Sequence, residues 1–244
     1  FAGLRALVDS TLRKLNGLGI GRNDRVAIVL ANGPEMATCF MACACGVASA
    51  PLNPSYRADE FEFYLSDLHA KALIVEAGST SPAIEVAAKL GVRVIDLVVV
   101  AEAPAGAFTL VPRDGAATAP TAAATLAQPD DVSMVLHTSG TTSRPKIVPL
   151  SQRNLCASAR NIAKSLQFRA DDRGLNVMPL FHIHGLIAGV LAPLSAGSQV
   201  CCTPGFNALK FFAWMDEAAP TWYTAVPTMH QAIVSRAKGN QDVI

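Results

Sequence analysis

From Leu4 to Leu18 the apolar residues fall at Leu4, Leu7, Val8, Leu12, Leu15 and Leu18. That is the spacing of one helix face, and Gly19 and Gly21 end it. The apolar run Val26 to Leu30 predicts a short strand, closed by Asn32 and Gly33. The pattern then predicts helices over Glu35–Ala48, Asp59–Leu68 and Ala83–Leu90, with strands over Ala72–Val75 and Val94–Val100. These strands are apolar throughout rather than alternating. Strands of that kind are buried on both faces, which implies a parallel sheet covered by helices. Residues 101–130, dominated by Ala, Pro, Gly and Thr, lose the period and predict a loop or linker.

The alternation resumes with a strand over Val132–Leu136 and a helix over Gln152–Leu166 that Ser151 is placed to cap. Strands follow over Leu175–Leu180, Gln199–Cys202 and Trp222–Ala225. Helices are expected over Gly185–Ala196 and Ala208–Ala218, the second capped by Asn207, and after Thr228. The expected fold class is therefore layered α/β with largely parallel sheets. The chain is read in two parts, 1–130, which ends in the loop over 101–130, and 131–244.

Composition narrows the classes. The 244 residues are 51% hydrophobic and 16% charged with a formal charge of +1, so there is a large core and no nucleic-acid signature. The longest apolar run, Met36 to Ala50, ends in Pro51 and is short for a bilayer span. It predicts a buried helix running into a strand. No basic-then-apolar leader is present, and Phe1 starts almost inside a helix, so the chain is expected to be trimmed at its front. The six cysteines match no zinc spacing and sit in apolar segments. They are read as reduced, buried residues of a cytoplasmic protein. Oligomeric state is not legible.

The chemistry gathers after the strand at 132–136. Thr138, Ser139, Gly140, Thr141, Thr142 and Ser143 precede Arg144, Pro145 and Lys146. In parallel α/β sheets ligands bind at the carboxyl ends of strands. There, hydroxyls, backbone N–H groups and a compact cation suit phosphate. The loop is not a Walker A motif, which after Gly140 would need glycine at 145 and Ser or Thr at 147. The chain has Pro145 and Ile147, and a plain hydroxyl-rich turn is the alternative. The H-x-H pair His182 and His184 could share one face of an extended segment, but no neighbouring carboxylate or cysteine completes a metal set, and no metal site is expected.

"TSGTTSRPK" (138–146) resembles the phosphate-loop signature of the adenylate-forming enzymes, the acyl-CoA synthetase and luciferase-like family. "GIGRNDRVAIVLANGPE" (19–35), "APLNPSYRADEFEFYL" (50–65), "PLFHIHGLIAGVLAPLSAGSQV" (179–200) and "TWYTAVPTMHQ" (221–231) fall in that family's order. The wording is most similar to the oxalate–CoA ligase branch. The resemblance implies ATP-dependent activation of a small carboxylic acid to an acyl-adenylate and then to a coenzyme A thioester, with Mg²⁺ arriving on the nucleotide. Thr138, Ser139, Gly140, Thr141, Thr142 and Lys146 would hold the β- and γ-phosphates. His182 would lie beside the reacting carboxylate and α-phosphate. His184 would help bind a small dianionic acid or serve as a core histidine. His137 and His230 are expected to be structural and His69 to lie at the surface.

The chain departs from the family's usual glycines at Ser143 and Ile147. A β-branched residue at positive φ is strained, so an ordinary, non-left-handed backbone is expected at Ile147. The resemblance also implies that this chain is the front part of a longer enzyme. The adenine-contacting glutamate motif and a small C-terminal domain with a catalytic lysine would lie beyond residue 244. The alternatives are a ligase for a medium-chain or aromatic acid and a non-catalytic nucleotide-binding relative.

Overall fold

Five apolar strands lie side by side in a computed structural model, which describes residues 1–117, 119, 123–138 and 145–240. The chain forms two units: Phe1–Ala31 with Thr38–Leu155, and Asn32–Ala37 with the residues from Cys156 onward. In the first unit, strands β1 (Arg25–Val29), β2 (Ala48–Pro51), β3 (Ala72–Glu76), β4 (Arg93–Val99) and β6 (Val132–Thr138) run parallel. Antiparallel edges flank them, β5 (Phe108–Pro112) on β4 and β7 (Lys146–Ser151) on β6. The order is β5-β4-β3-β1-β2-β6-β7.

Helices α1 (Ala2–Gly17), α2 (Pro34–Ala44), α3 (Ala58–Asp67) and α4 (Ala83–Lys89) alternate with the strands. The α3 and α4 residues Phe61, Leu65, Val86 and Ala87 close over Ala27, Val29, Leu73, Val75 and Val135. Each large side chain buried in this way stabilises the fold by about 1.5–3 kcal/mol. Val26, Ile28, Ala72 and Ile74 are fully buried as well. Burial on both sheet faces is what makes β1 and β3 uniformly apolar. The run from Met36 is a buried helix followed by a strand, α2 then β2.

Several expectations are corrected here. The stretch 101–130 is not all loop: β5 lies within it, and its buried–exposed alternation from Phe108 to Pro112 is that of a strand with one covered face. Strand β6 pairs with β2 and so packs in the first unit, which runs on to Leu155. Strand β7 was not expected at all. Its Pro149 breaks a strand-like pattern in sequence but is tolerated on a sheet edge, where a missing N–H costs no ladder bond. The cap at Ser151 holds: its Oγ accepts from Asn154 N–H (3.3 Å), while Asn154 Oδ1 accepts from Ser151 N–H (3.0 Å), opening α5 (Gln152–Ser165).

A polar clamp starts β6. The Asp131 carboxylate accepts from Arg22 Nη2 (2.9 Å), Arg22 Nε (2.5 Å), Asn23 Nδ2 (3.1 Å) and Gln128 N–H (2.6 Å). Asn23 Oδ1 in turn accepts from Val132 N–H (2.8 Å). These donors, Arg22 first, hold the Asp131 carboxyl well below the usual carboxylate range. A carboxylate with a depressed folded pKa contributes stability above its unfolded pKa and loses it as pH falls toward the folded value. Asp131→Asn should therefore lower Tm at pH 7, and the gap to wild type should narrow below about pH 4. A gap that stays constant from neutral to acid pH in thermal melts would show that the charge of Asp131 is not what holds the clamp.

In the second unit, β8 (Arg173–Asn176) is the middle strand of a parallel sheet, between β10 (Trp222–Thr224) and β9 (Gln199–Cys202). Leu175, Val177, Phe211, Phe212 and Ile233 form its core, the last three from α7 (Phe211–Ala218) and α8 (Pro227–Ala237). The helix expected over 185–196 is a π-helix, His184–Leu191, continued by the short α6 (Ala192–Ser195). Asn207 does not cap α7. Its Oδ1 closes a turn by accepting from Leu209 N–H (2.9 Å), and the helix begins at Phe211. Thr228 does not cap α8 either; Val226 takes that place, with Pro227 in the first turn where no N–H is needed. Among the described residues no helix is long and apolar enough to cross a membrane.

Candidate functional site

The β6–β7 hairpin carries the loop that sequence singled out. Thr138 and Lys146 are cross-strand partners at its end, and His137 pairs with Ile147 one rung below. Ser139, Gly140, Thr141 and Thr142, four of the expected phosphate ligands, lie outside the described residues, as do Ser143 and Arg144. The hairpin brings together the two members of the set that are described. Val135 and Ile147 face the core under α3 and α4. With side chains alternating along each strand, Thr138 and Lys146 leave from the opposite face. A hydroxyl donor and an exposed ammonium thus sit side by side at the mouth of the loop, an arrangement that can hold anionic oxygens. Ile147 lies in extended backbone and is not among the described residues with left-handed φ. The departure from glycine is therefore unstrained, and the side chain is used for packing.

His137 is built in. Its side chain is 5% exposed, and Nε2 meets Asp67 Oδ2 at 2.9 Å. Tyr64 lies edge-on to the ring at 4.7 Å. Sequence reasoning anticipated a structural histidine but could not find Asp67, whose position on α3 is a matter of packing.

In the second unit, Asn176 ends β8 and is 2% exposed. Its Nδ2 donates to the Gly185 carbonyl (3.1 Å) and its Oδ1 accepts from Met178 N–H (3.1 Å). Asn32 clamps the same turn, donating to the Met178 carbonyl (2.9 Å) and accepting from Leu180 N–H (2.9 Å). The π-helix is seated so closely that a Cβ on Gly189 would come within 2.5 Å of Asn176 Nδ2, and one on Gly185 within 2.4 Å of the Pro179 carbonyl. Such π-type turns recur at functional sites.

This seating separates the two histidines. His182 N–H reaches back to the Pro179 carbonyl (3.3 Å) and His182 O accepts from Leu186 N–H (3.2 Å), so the segment turns into a helix and is not extended. Residues two apart there face roughly opposite sides, and the expected shared face is not formed. His182 lies against Phe181, ring centres 4.6 Å apart, and burial pushes its imidazole pKa down, favouring the neutral ring. His184 Nε2 meets Thr224 Oγ1 at 2.7 Å. Within this sheet β8 leads on to β9 on one side, while β10 lies on the other. The His184–Thr224 contact thus joins the start of the π-helix to the carboxyl end of β10, beside β8 where the strand order reverses and ligands bind in open α/β sheets. His230 Nδ1 meets Tyr223 Oη (3.2 Å), and His69 is exposed, both as expected.

A further hollow of about 480 Å³ lies at the corresponding reversal of the large sheet, lined by the ends of β1 and β3, with Glu76, Ser79, Thr80 and Ser81 as its polar residues. No motif in the sequence pointed to it. Among the described residues, no three His, Cys, Asp or Glu side chains are gathered as a metal set. All six cysteines are free. Cys39 and Cys43 are buried, whereas Cys45, Cys156, Cys201 and Cys202 are only partly so, which corrects the expectation that all six are core residues.

Comparison with known proteins gives the site a context. A family model described as AMP-binding enzyme matches residues 1–243. A probable CoA ligase, CCL9, of Humulus lupulus is 42% identical over 241 residues, which is 96% of this chain and 45% of that protein. The oxalate–CoA ligase of Arabidopsis thaliana is 40% identical over 240 residues, 96% of this chain and 46% of that protein. Among solved structures, ATP-bound MatB from Rhodopseudomonas palustris superposes with a TM-score of 0.77 at 27% identity, covering 96% of this chain and 45% of that one. The chain therefore spans a little under half the length of these relatives.

Proposed function

Because this chain belongs to the AMP-binding enzyme family, we propose that the whole protein activates a small carboxylic acid, with oxalate the first candidate, and passes it to coenzyme A. A carboxylate repels nucleophiles, so it is first made electrophilic. Its oxygen forms a bond to the α-phosphorus of ATP, and the bond from that phosphorus to the bridging oxygen breaks, releasing pyrophosphate. The coenzyme A thiol then loses its proton and attacks the acyl carbon, and AMP leaves. The observation that carries this reading is the Thr138–Lys146 rung at the mouth of the loop. A hydroxyl and an ammonium side by side there would offset charge on phosphate oxygens as it builds.

Thr138 and Lys146 bracket Ser139, Gly140, Thr141 and Thr142, which complete the proposed grip. Mg²⁺ entering on the nucleotide would neutralise part of the polyphosphate charge. His182, whose imidazole pKa is lowered by partial desolvation, is placed in this reading to donate an N–H to the reacting carboxylate. His184 diverges from His182 and is engaged by Thr224, so of its two expected roles the core histidine is the one adopted here, and the second carboxylate of a dianion is left to other groups. The unbridged cysteines support a reducing, cytoplasmic setting.

Pyrophosphate release by the whole protein across oxalate, malonate, acetate, a medium-chain acid and an aromatic acid tests the reading. Oxalate should lead in kcat/KM by about tenfold or more. A medium-chain or aromatic acid in the lead would overturn the substrate assignment. Acid-independent behaviour throughout would favour a non-catalytic nucleotide-binding protein.

A further inference from the structure

The proposed phosphate grip stands at the tip of a hairpin whose support is unusual. Strand β7 is the terminal strand of its sheet, so β6 is its one neighbour in the ladder. β6 pairs with β2 at Met134, three residues before His137. Toward the tip, the hairpin is gripped from one side by α3. Asp67 Oδ2 takes the imidazole N–H at 2.9 Å, Tyr64 meets the ring edge-on at 4.7 Å, and Phe63 lies 6.3 Å away. A ring only 5% exposed tolerates this position because its polar end is satisfied. The rung so held is His137–Ile147, and the next rung is Thr138–Lys146.

We infer that Asp67 and His137 are a positioning pair for adenylation: by fixing the penultimate rung they set where Thr138 and Lys146 meet the nucleotide's phosphates. This rests on the adenylation reading above. Neither residue touches substrate; both act through the strand. A misplacement of about 1 Å at a reacting centre is enough to cost a large part of the rate. Asp67 is the more accessible partner, 40% exposed, so its removal leaves the core packing of α3, Phe61 and Leu65, in place.

The test uses the whole protein and ATP–pyrophosphate exchange at a temperature well below each variant's Tm. Asp67→Ala should raise KM for ATP by about tenfold, equivalent to about 1.4 kcal/mol, with KM for the acid unchanged. Asp67→Asn, which keeps an acceptor for the ring N–H, should recover most of the loss. His137→Phe, which keeps the packing on Tyr64 without a donor, should match Asp67→Ala, and the double variant should be no worse than either alone. A wild-type KM for ATP in Asp67→Ala, with only Tm lowered, would overturn the inference and leave the adenylation reading intact. Absence of both exchange and ATP binding in the wild-type protein would overturn the two together.

Discussion

Replacing Lys146 by alanine in the whole protein should lower ATP–pyrophosphate exchange by about two orders of magnitude, the usual loss when one preorganised charge-stabilising donor is removed. The expectation is clean because Lys146 is exposed and begins an edge strand. Surface substitutions of that kind change stability by about 0.5 kcal/mol or less, so Tm should hardly move while the rate collapses. The loss should appear in kcat/KM for ATP, since the ammonium is proposed to meet phosphate and not the acid. Arginine at this position should restore charge but not activity in full, because a planar fork does not replace a compact point charge. Unchanged exchange in Lys146→Ala would mean that the polyphosphate is held elsewhere and that the hairpin has been misread.

The second large effect concerns stability. Gly185→Ala would drive a Cβ to within 2.4 Å of the Pro179 carbonyl, a backbone atom that cannot swing aside, and to 3.2 Å from the Met178 side chain. Overpacking of this sort costs about 1–3 kcal/mol. Here it also strains the bond from Asn176 Nδ2 to the Gly185 carbonyl. Leaving that buried amide unsatisfied adds a further cost of about 1–3 kcal/mol. The variant should melt several degrees lower and lose acid-dependent activity, since the turn that carries His182 bonds back to Pro179 and on to Leu186. Gly3→Ala is the matched control. Gly3 lies in α1 with nothing within 4 Å of an added Cβ, so the better helix former should be neutral or stabilising by up to about 1 kcal/mol. Equal melting shifts for the two would show that the close seating of the π-helix is not a constraint.

Much of the architecture was legible because it is a local property. A short unbroken apolar run closed by turn residues, such as Val26–Leu30, reads as a strand covered on both faces by its length and its flanks, and the 3.6-residue spacing from Leu4 marks a helix with one covered face. Ser151 was recognisable as a cap because its partner, Asn154, is three residues away. The loop after Val132–Leu136 stood out by its composition and its place after a strand, and its reading as a phosphate grip came from the resemblance to the family. What escaped notice was short, interrupted or strained. Strand β5 alternates over only five residues in a Pro- and Gly-rich stretch, and β7 contains a proline. The π-helix has the same apolar run as an α-helix, and the sequence pattern does not separate the two.

The sequence by itself therefore determined the largely parallel fold and most of its elements, because periodicity and short-range spacing record which face of each element meets a core, and it carried the family's wording around Thr138 and Lys146. Only the tertiary structure decided that Thr138 and Lys146 are neighbours across a hairpin, that Ile147 is unstrained, and that His182 and His184 diverge. It also supplied the partners: Asp67 for His137 lies 70 residues away, and Thr224 for His184 lies 40 away. Buried polar groups must be satisfied, but nothing in local pattern says by whom. That choice is made when distant elements pack.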